Sequence, residues 1–145
     1  MEEAARKAYN ALCHLDTATG RLELDPILGD LIRLRASMLN GCAYCVDMHS
    51  KDARAKGESE QRLYAVAAWH EAPFFSPAER AAFALTDALT LLAGNPLPDA
   101  VVAEAEEQLG VDGLAAATWV IVTINAWNRV AIASHSQAGE YEPGE

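Results

Sequence analysis

Apolar residues recur at intervals of three and four along most of the chain, and no stretch shows the alternate spacing of a half-buried strand. The pattern predicts an all-α protein of about six to seven helices. Apolar and charged residues mix at helical spacing over residues 2 to about 15, and residues 17–20 read as a turn. Asp25-Pro26 supplies an N-cap and a proline at the first helical position, after which Ile27, Leu31, Leu34 and Met38 form one stripe up to Asn40-Gly41. A third helix opens at the cysteines that follow and stops at Gly57. Ser59 caps a fourth, to about His70, and Ser76-Pro77-Ala78-Glu79 spells a capping box for a fifth, to about Ala93. Pro98-Asp99 begins a sixth that ends near Gly110.

The seventh segment, residues 112 to about 134, is apolar almost all round, which implies burial in a core, an oligomer interface or a membrane. Asn125, Asn128 and Arg129 would lie within hydrocarbon at a cost of several kcal/mol, so a membrane span is not expected. A chain of 145 residues seldom encloses a helix on every side, so a homo-oligomer is expected instead. Residues 137–145 read as a loose polar tail. The length suits one domain, 1–145, with its core over about 20–135.

Eleven Lys and Arg against 21 Asp and Glu give a formal charge of −10, which repels phosphate backbones and anionic lipid surfaces. Nucleic acid is not an expected partner. The first ten residues are charged and lack an apolar run of the secretory kind, so the cytoplasm is the expected compartment. Three cysteines there imply chemistry rather than a disulfide scaffold.

That chemistry concentrates in Cys42-Ala43-Tyr44-Cys45-Val46-Asp47-Met48-His49. Positions three and four apart share a helix face, so Cys42, Cys45 and His49 form one stripe. The free N–H groups of the first turn and a nearby imidazole both favour a thiolate, and Cys45 is placed to feel both. Attack by Cys45 on a peroxide or disulfide would leave an oxidised sulfur for Cys42 to capture. Asp30, on the preceding helix, could approach His49 through a hairpin turned at Asn40-Gly41, or serve simply as a helix-dipole partner.

Other readings compete. Val46 after Cys45 rules out a C-x-x-C-H haem attachment. Two cysteines and a histidine are three of the four ligands of a structural zinc site, with Cys13, His14, His70 or Asp30 as a fourth brought in by folding. A non-enzymatic zinc-stabilised or redox-sensing helical module is therefore the alternative. Cys13 reads as a buried thiol packed as a small hydrophobe, and His70 and His135 as structural histidines.

The stretch from Leu34 to Ala53, together with Glu60-Gln61-Arg62-Leu63-Tyr64, the segment 69–75 and Asn125-Ala126-Trp127-Asn128-Arg129, resembles the carboxymuconolactone decarboxylase-like superfamily in its AhpD-like alkyl hydroperoxidase branch. The resemblance implies an all-α subunit assembling as trimers or hexamers, with no metal or organic cofactor in the site. It also implies roles: Cys45 as nucleophile, Cys42 as resolving thiol, His49 as base and Asp30 as its acidic partner. Asp30 stands where the family usually has the longer glutamate. Tyr44 stands where the alkyl hydroperoxidases often carry a histidine, so a lipoyl-bearing donor does not follow. The expected partners are a small hydroperoxide or disulfide substrate and an unidentified reducing protein or thiol donor. Decarboxylation is a more distant alternative, since that branch does not need the cysteine pair.

Overall fold

The computed structural model describes residues 5–144, which form six α-helices and, among those residues, no strand. They are α1 (Arg6–Thr19), α2 (Pro26–Asn40), α3 (Ala43–Ala55), α4 (Glu60–Ala65), α5 (Pro77–Thr90) and α6 (Asp99–Ala133), with a single 3-10 turn, Val66–Ala68, after α4. The all-α expectation holds. The boundaries moved at three places for physical reasons. Residues 17–19, expected as a turn, continue α1, where the Thr17 hydroxyl bonds back to the Cys13 carbonyl inside the helix rather than capping a turn. The fourth helix tightens to 3-10 geometry at Val66 and ends by Ala68, short of His70. The sixth and seventh segments meet without a loop: Gly110, at φ 73° and ψ 171°, breaks the helical path at one residue, and helical bonding resumes directly. Such a φ is costly for any residue with a Cβ.

Caps fix where the other helices begin. The Asp25 carboxylate accepts from the Leu28 N–H ahead of Pro26, and Ser76 with Glu79 forms the complete capping box. At the far end of α2, Gly41 takes the left-handed conformation at φ 69°, with the Cys42 N–H bonded to the Ser37 carbonyl. That turn delivers Cys42 straight into the start of α3.

The centre of the bundle is α2, not the last helix. Its buried positions feed all three apolar clusters: Leu28 and Ile32 meet α5 and α6 through Leu85, Val120 and Ile121; Leu31 and Leu34 meet Leu63, Val66, Trp69 and Phe83; Ala36 meets Ile124, Ala131 and both site cysteines. By length and apolar content α6 would pass for a membrane span. In the fold it packs against α5, α2 and α1, buries Thr123 and Asn128, and leaves Val111, Trp119, Val122 and Ile132 exposed.

The expected loose tail is also corrected. The Gly139 N–H donates to the Asp47 carboxylate, Lys51 donates to the Gly139 and Tyr141 carbonyls, and the Tyr141 hydroxyl donates to Asp52. These contacts strap the C-terminal segment along α3, through polar groups 88 to 92 residues apart that no local pattern announces.

Candidate functional site

Cys42 is the N-cap of α3, and its Sγ accepts from the Cys45 N–H at 3.4 Å. Both thiols are free, their sulfurs are 2.7 Å apart, and both side chains are buried, 2 % and 3 % exposed. The face-sharing stripe predicted from spacing therefore holds for the two cysteines. The expected ease of ionisation at Cys45 does not. Burial, a hydrogen bond with Cys42 and the proximity of that second sulfur push the Cys45 thiol up to about 12, and hydrogen bonds from Asn128 and Ser37 only partly offset this. At rest Cys45 is a protonated thiol.

His49 follows one turn after Cys45 and shares with it a cavity of about 230 Å³, whose wall also includes Tyr9, Cys13, Met48 and Trp127. The Nδ1 of His49 is buried, has no hydrogen-bond partner among the described residues, and faces the Asp52 carboxylate at 3.7 Å. A carboxylate oxygen of Asp30, a ring nitrogen of His49 and a carboxylate oxygen of Asp52 all lie within 4.8 Å of one another. Asp30 itself is buried and ion-paired, to Lys56 and, at 3.4 Å, to Arg33. The hairpin at Gly41 thus brings Asp30 to the imidazole, although its direct bonds go to the two cations.

Cys42 opens on a different cavity, of about 220 Å³, between Tyr44, Ala131 and His135. His135 sits there in left-handed backbone, φ 55°, just past the end of α6. His70 lies away from the thiols, exposed and stacked on Trp69 at 3.6 Å between ring centroids. Cys13, expected as an inert buried thiol, is only partly buried and lines the cavity that Cys45 and His49 share.

The comparison with known families gives a match of residues 3–88 to the model of the carboxymuconolactone decarboxylase family. The chain belongs to that family. The uncharacterized protein YdfG of Bacillus subtilis is 35 % identical over 136 residues, covering 94 % of this chain and 92 % of YdfG. A crystal structure from Agrobacterium tumefaciens, of a protein of unknown function described as a candidate antioxidant defence protein AhpD, superposes with a TM-score of 0.91 at 34 % identity, covering 97 % of this chain and 96 % of that one. The debrominase Bmp8 shares the fold, at a TM-score of 0.80 and 21 % identity over 90 % of this chain and 70 % of its own.

Two groups of the site escaped the sequence reading. Asp52 had a signal: it lies three residues after His49, on the same face of α3. Tyr141 had none, because its contact spans 89 residues and ends in a segment with no helical pattern.

Proposed function

We propose that the protein is a thiol-dependent hydroperoxidase or disulfide reductase of the cytoplasm, with Cys45 attacking, Cys42 resolving and His49, supported by the charge of Asp30, accepting the proton. The observation that carries this reading is the pair of free sulfurs 2.7 Å apart, one of which shares an open cavity with an imidazole. Cys45 gives its proton to His49 as its sulfur attacks the peroxide O–O bond, forming a sulfenic acid, and the departing alkoxide takes that proton from His49 to leave as the alcohol. The Cys42 thiol then displaces water from that sulfur and closes a disulfide. Two thiols of a small-molecule or protein donor return both sulfurs to the dithiol and leave as a disulfide. In a disulfide substrate the same attack expels a thiolate instead. No step uses a metal or an organic cofactor. Decarboxylation, the reaction in the family's name, would leave the adjacent sulfurs without a task.

The test is a thiol count. One equivalent of an organic hydroperoxide is expected to remove two of the three free thiols per subunit, with Cys42 linked to Cys45 in peptide maps and Cys13 still reduced. Near-stoichiometric zinc in protein purified without added metal, with all three thiols unchanged by the hydroperoxide, would overturn the reading in favour of a zinc-stabilised module.

The exposed Val111, Trp119, Val122 and Ile132 of α6 support assembly with further copies of the chain, as trimers or hexamers. Sedimentation at micromolar concentration is expected to give a mass of at least three times 15.6 kDa, and a 15.6 kDa particle would refute it.

A further inference from the structure

The imidazole that the proposed chemistry needs as a proton acceptor is controlled by its neighbours. The groups facing His49 come from four segments: Cys45 and Asp52 of its own helix; Asp30 and Arg33 of α2, with Lys56 beside Asp30; Tyr9, Cys13 and Asp16 of α1 across the shared cavity; and Tyr141 of the C-terminal strap through Asp52. Two carboxylates are near the ring, and their situations differ. Asp30 is ion-paired to two cations, Lys56 and Arg33, and its direct bonds go to them rather than to the ring. Among the described residues, the ion pair of Asp52 is with His49, and its other oxygen accepts from the Tyr141 hydroxyl at 2.7 Å.

We infer that Asp52, clamped by the Tyr141 hydroxyl of the C-terminal strap, is the positioning residue that holds the proton of neutral His49 on Nδ1 and leaves Nε2 as the basic nitrogen. At 3.7 Å the carboxylate lies beyond hydrogen-bond distance but close enough to attract an N–H dipole on the ring, and the buried Nδ1 has no hydrogen-bond partner among the described residues to compete with it. The clamp has a direction. Tyr141 fixes one carboxylate oxygen and so aims the other at the ring, while Lys51 anchors the strap by donating to the Tyr141 carbonyl at 2.8 Å and to the Asp47 carboxylate at 3.0 Å. Burial raises the Asp52 pKa, but the neighbouring His49 and the Tyr141 hydroxyl outweigh it and the net direction is down, so the carboxylate is ionised at neutral pH. The Tyr141 phenol is pushed up by burial and by that same carboxylate, and stays a donor. The segment that reads in sequence as a tail is therefore part of the site's wiring.

This inference rests on the proposed role of His49 as base, and its test is chosen to fail separately. The titration of His49 is followed by NMR of the ring nitrogens in the full chain, alongside the pH profile of Cys45 alkylation by iodoacetamide, which needs no peroxide. Asp52→Asn is expected to lower the His49 midpoint, because it removes an opposite charge from beside the ring, and Asp52→Glu to restore most of it. Tyr141→Phe, which keeps the ring and loses only the hydroxyl, is expected to shift it in the same direction by less. An unchanged midpoint in Asp52→Asn overturns the inference, as does a loss of thermal stability in all three variants with no change in the titration. A shifted midpoint in a protein that consumes no hydroperoxide keeps the positioning role and removes the peroxidase reading instead.

Discussion

Cys45→Ser is expected to reduce hydroperoxide consumption to the uncatalysed background, and Cys42→Ser to consume one equivalent per subunit and then stop. The asymmetry follows from where each sulfur looks. Cys45 shares the cavity of His49, whereas Cys42 opens between Tyr44, Ala131 and His135 on another side. An oxidised Cys45 in the Cys42→Ser variant has no thiol beside it to close a disulfide, so a sulfenic acid accumulates and is trapped by a carbon nucleophile such as a cyclic dione. The resting ionisation adds a second, signed expectation. With its pKa pushed up to about 12, Cys45 has very little thiolate at neutral pH, and its alkylation rate rises with pH through the neutral range. Cys42 contributes to that elevation both as hydrogen-bond partner and as neighbouring charge. Replacing it with serine removes the charge and keeps a helix N-cap, so Cys45 in Cys42→Ser is expected to alkylate faster at pH 7 than in the wild type. A slower rate there, or turnover by Cys45→Ser, would mean that the roles of the two sulfurs are wrongly assigned.

How much of this was legible in the sequence depends on the range of the interaction. Features within one turn of helix were readable: Asp25-Pro26, the Ser76–Glu79 box and Asn40-Gly41 mark helix ends because a cap needs only its own neighbours. The Cys42–Cys45 pair was readable for the same reason. What the spacing could not supply was the environment of Cys45, since its high pKa comes from burial in a cluster with Ala36, Ile124 and Ala131, from two other helices. The central position of α2 was hidden as well. Its stripe of four apolar residues looked ordinary beside the continuously apolar α6, yet Asp30, Ala36 and Ser37 are buried too, because α3, α5 and α6 close over it from several sides. The strap is the extreme case: Gly139 and Tyr141 have no periodicity, and only the folded path of α3 provides the carboxylates and the lysine that hold them.

Asn128→Leu is expected to cost about 2 kcal/mol of stability and to slow Cys45 alkylation at fixed pH, about tenfold for each unit by which the thiol pKa rises. Asn128 is fully buried at the middle of a polar ladder that crosses the bundle. Its amide donates to Ser37 at 3.0 Å and its carbonyl accepts from Asn40 at 2.8 Å; Asn40 also donates to Asn125 at 3.0 Å, and Asn125 to Thr90 at 3.0 Å. Leucine fills a similar volume, so the loss is one of satisfied polar groups rather than of packing. The ladder ends on the sulfur, where the Asn128 hydrogen bond is the largest influence lowering the Cys45 pKa. Without it, burial and Cys42 act with less opposition, and the thiol becomes still harder to ionise. Asn125→Leu separates the two effects, because it breaks the ladder on the Thr90 side without touching the sulfur. It is expected to lower the melting temperature comparably while Cys45 alkylates at the wild-type rate. Equal alkylation rates in Asn128→Leu and the wild type would show that the ladder only holds helices together. A selective slowing in Asn128→Leu would show that the core tunes the thiol as well as burying it.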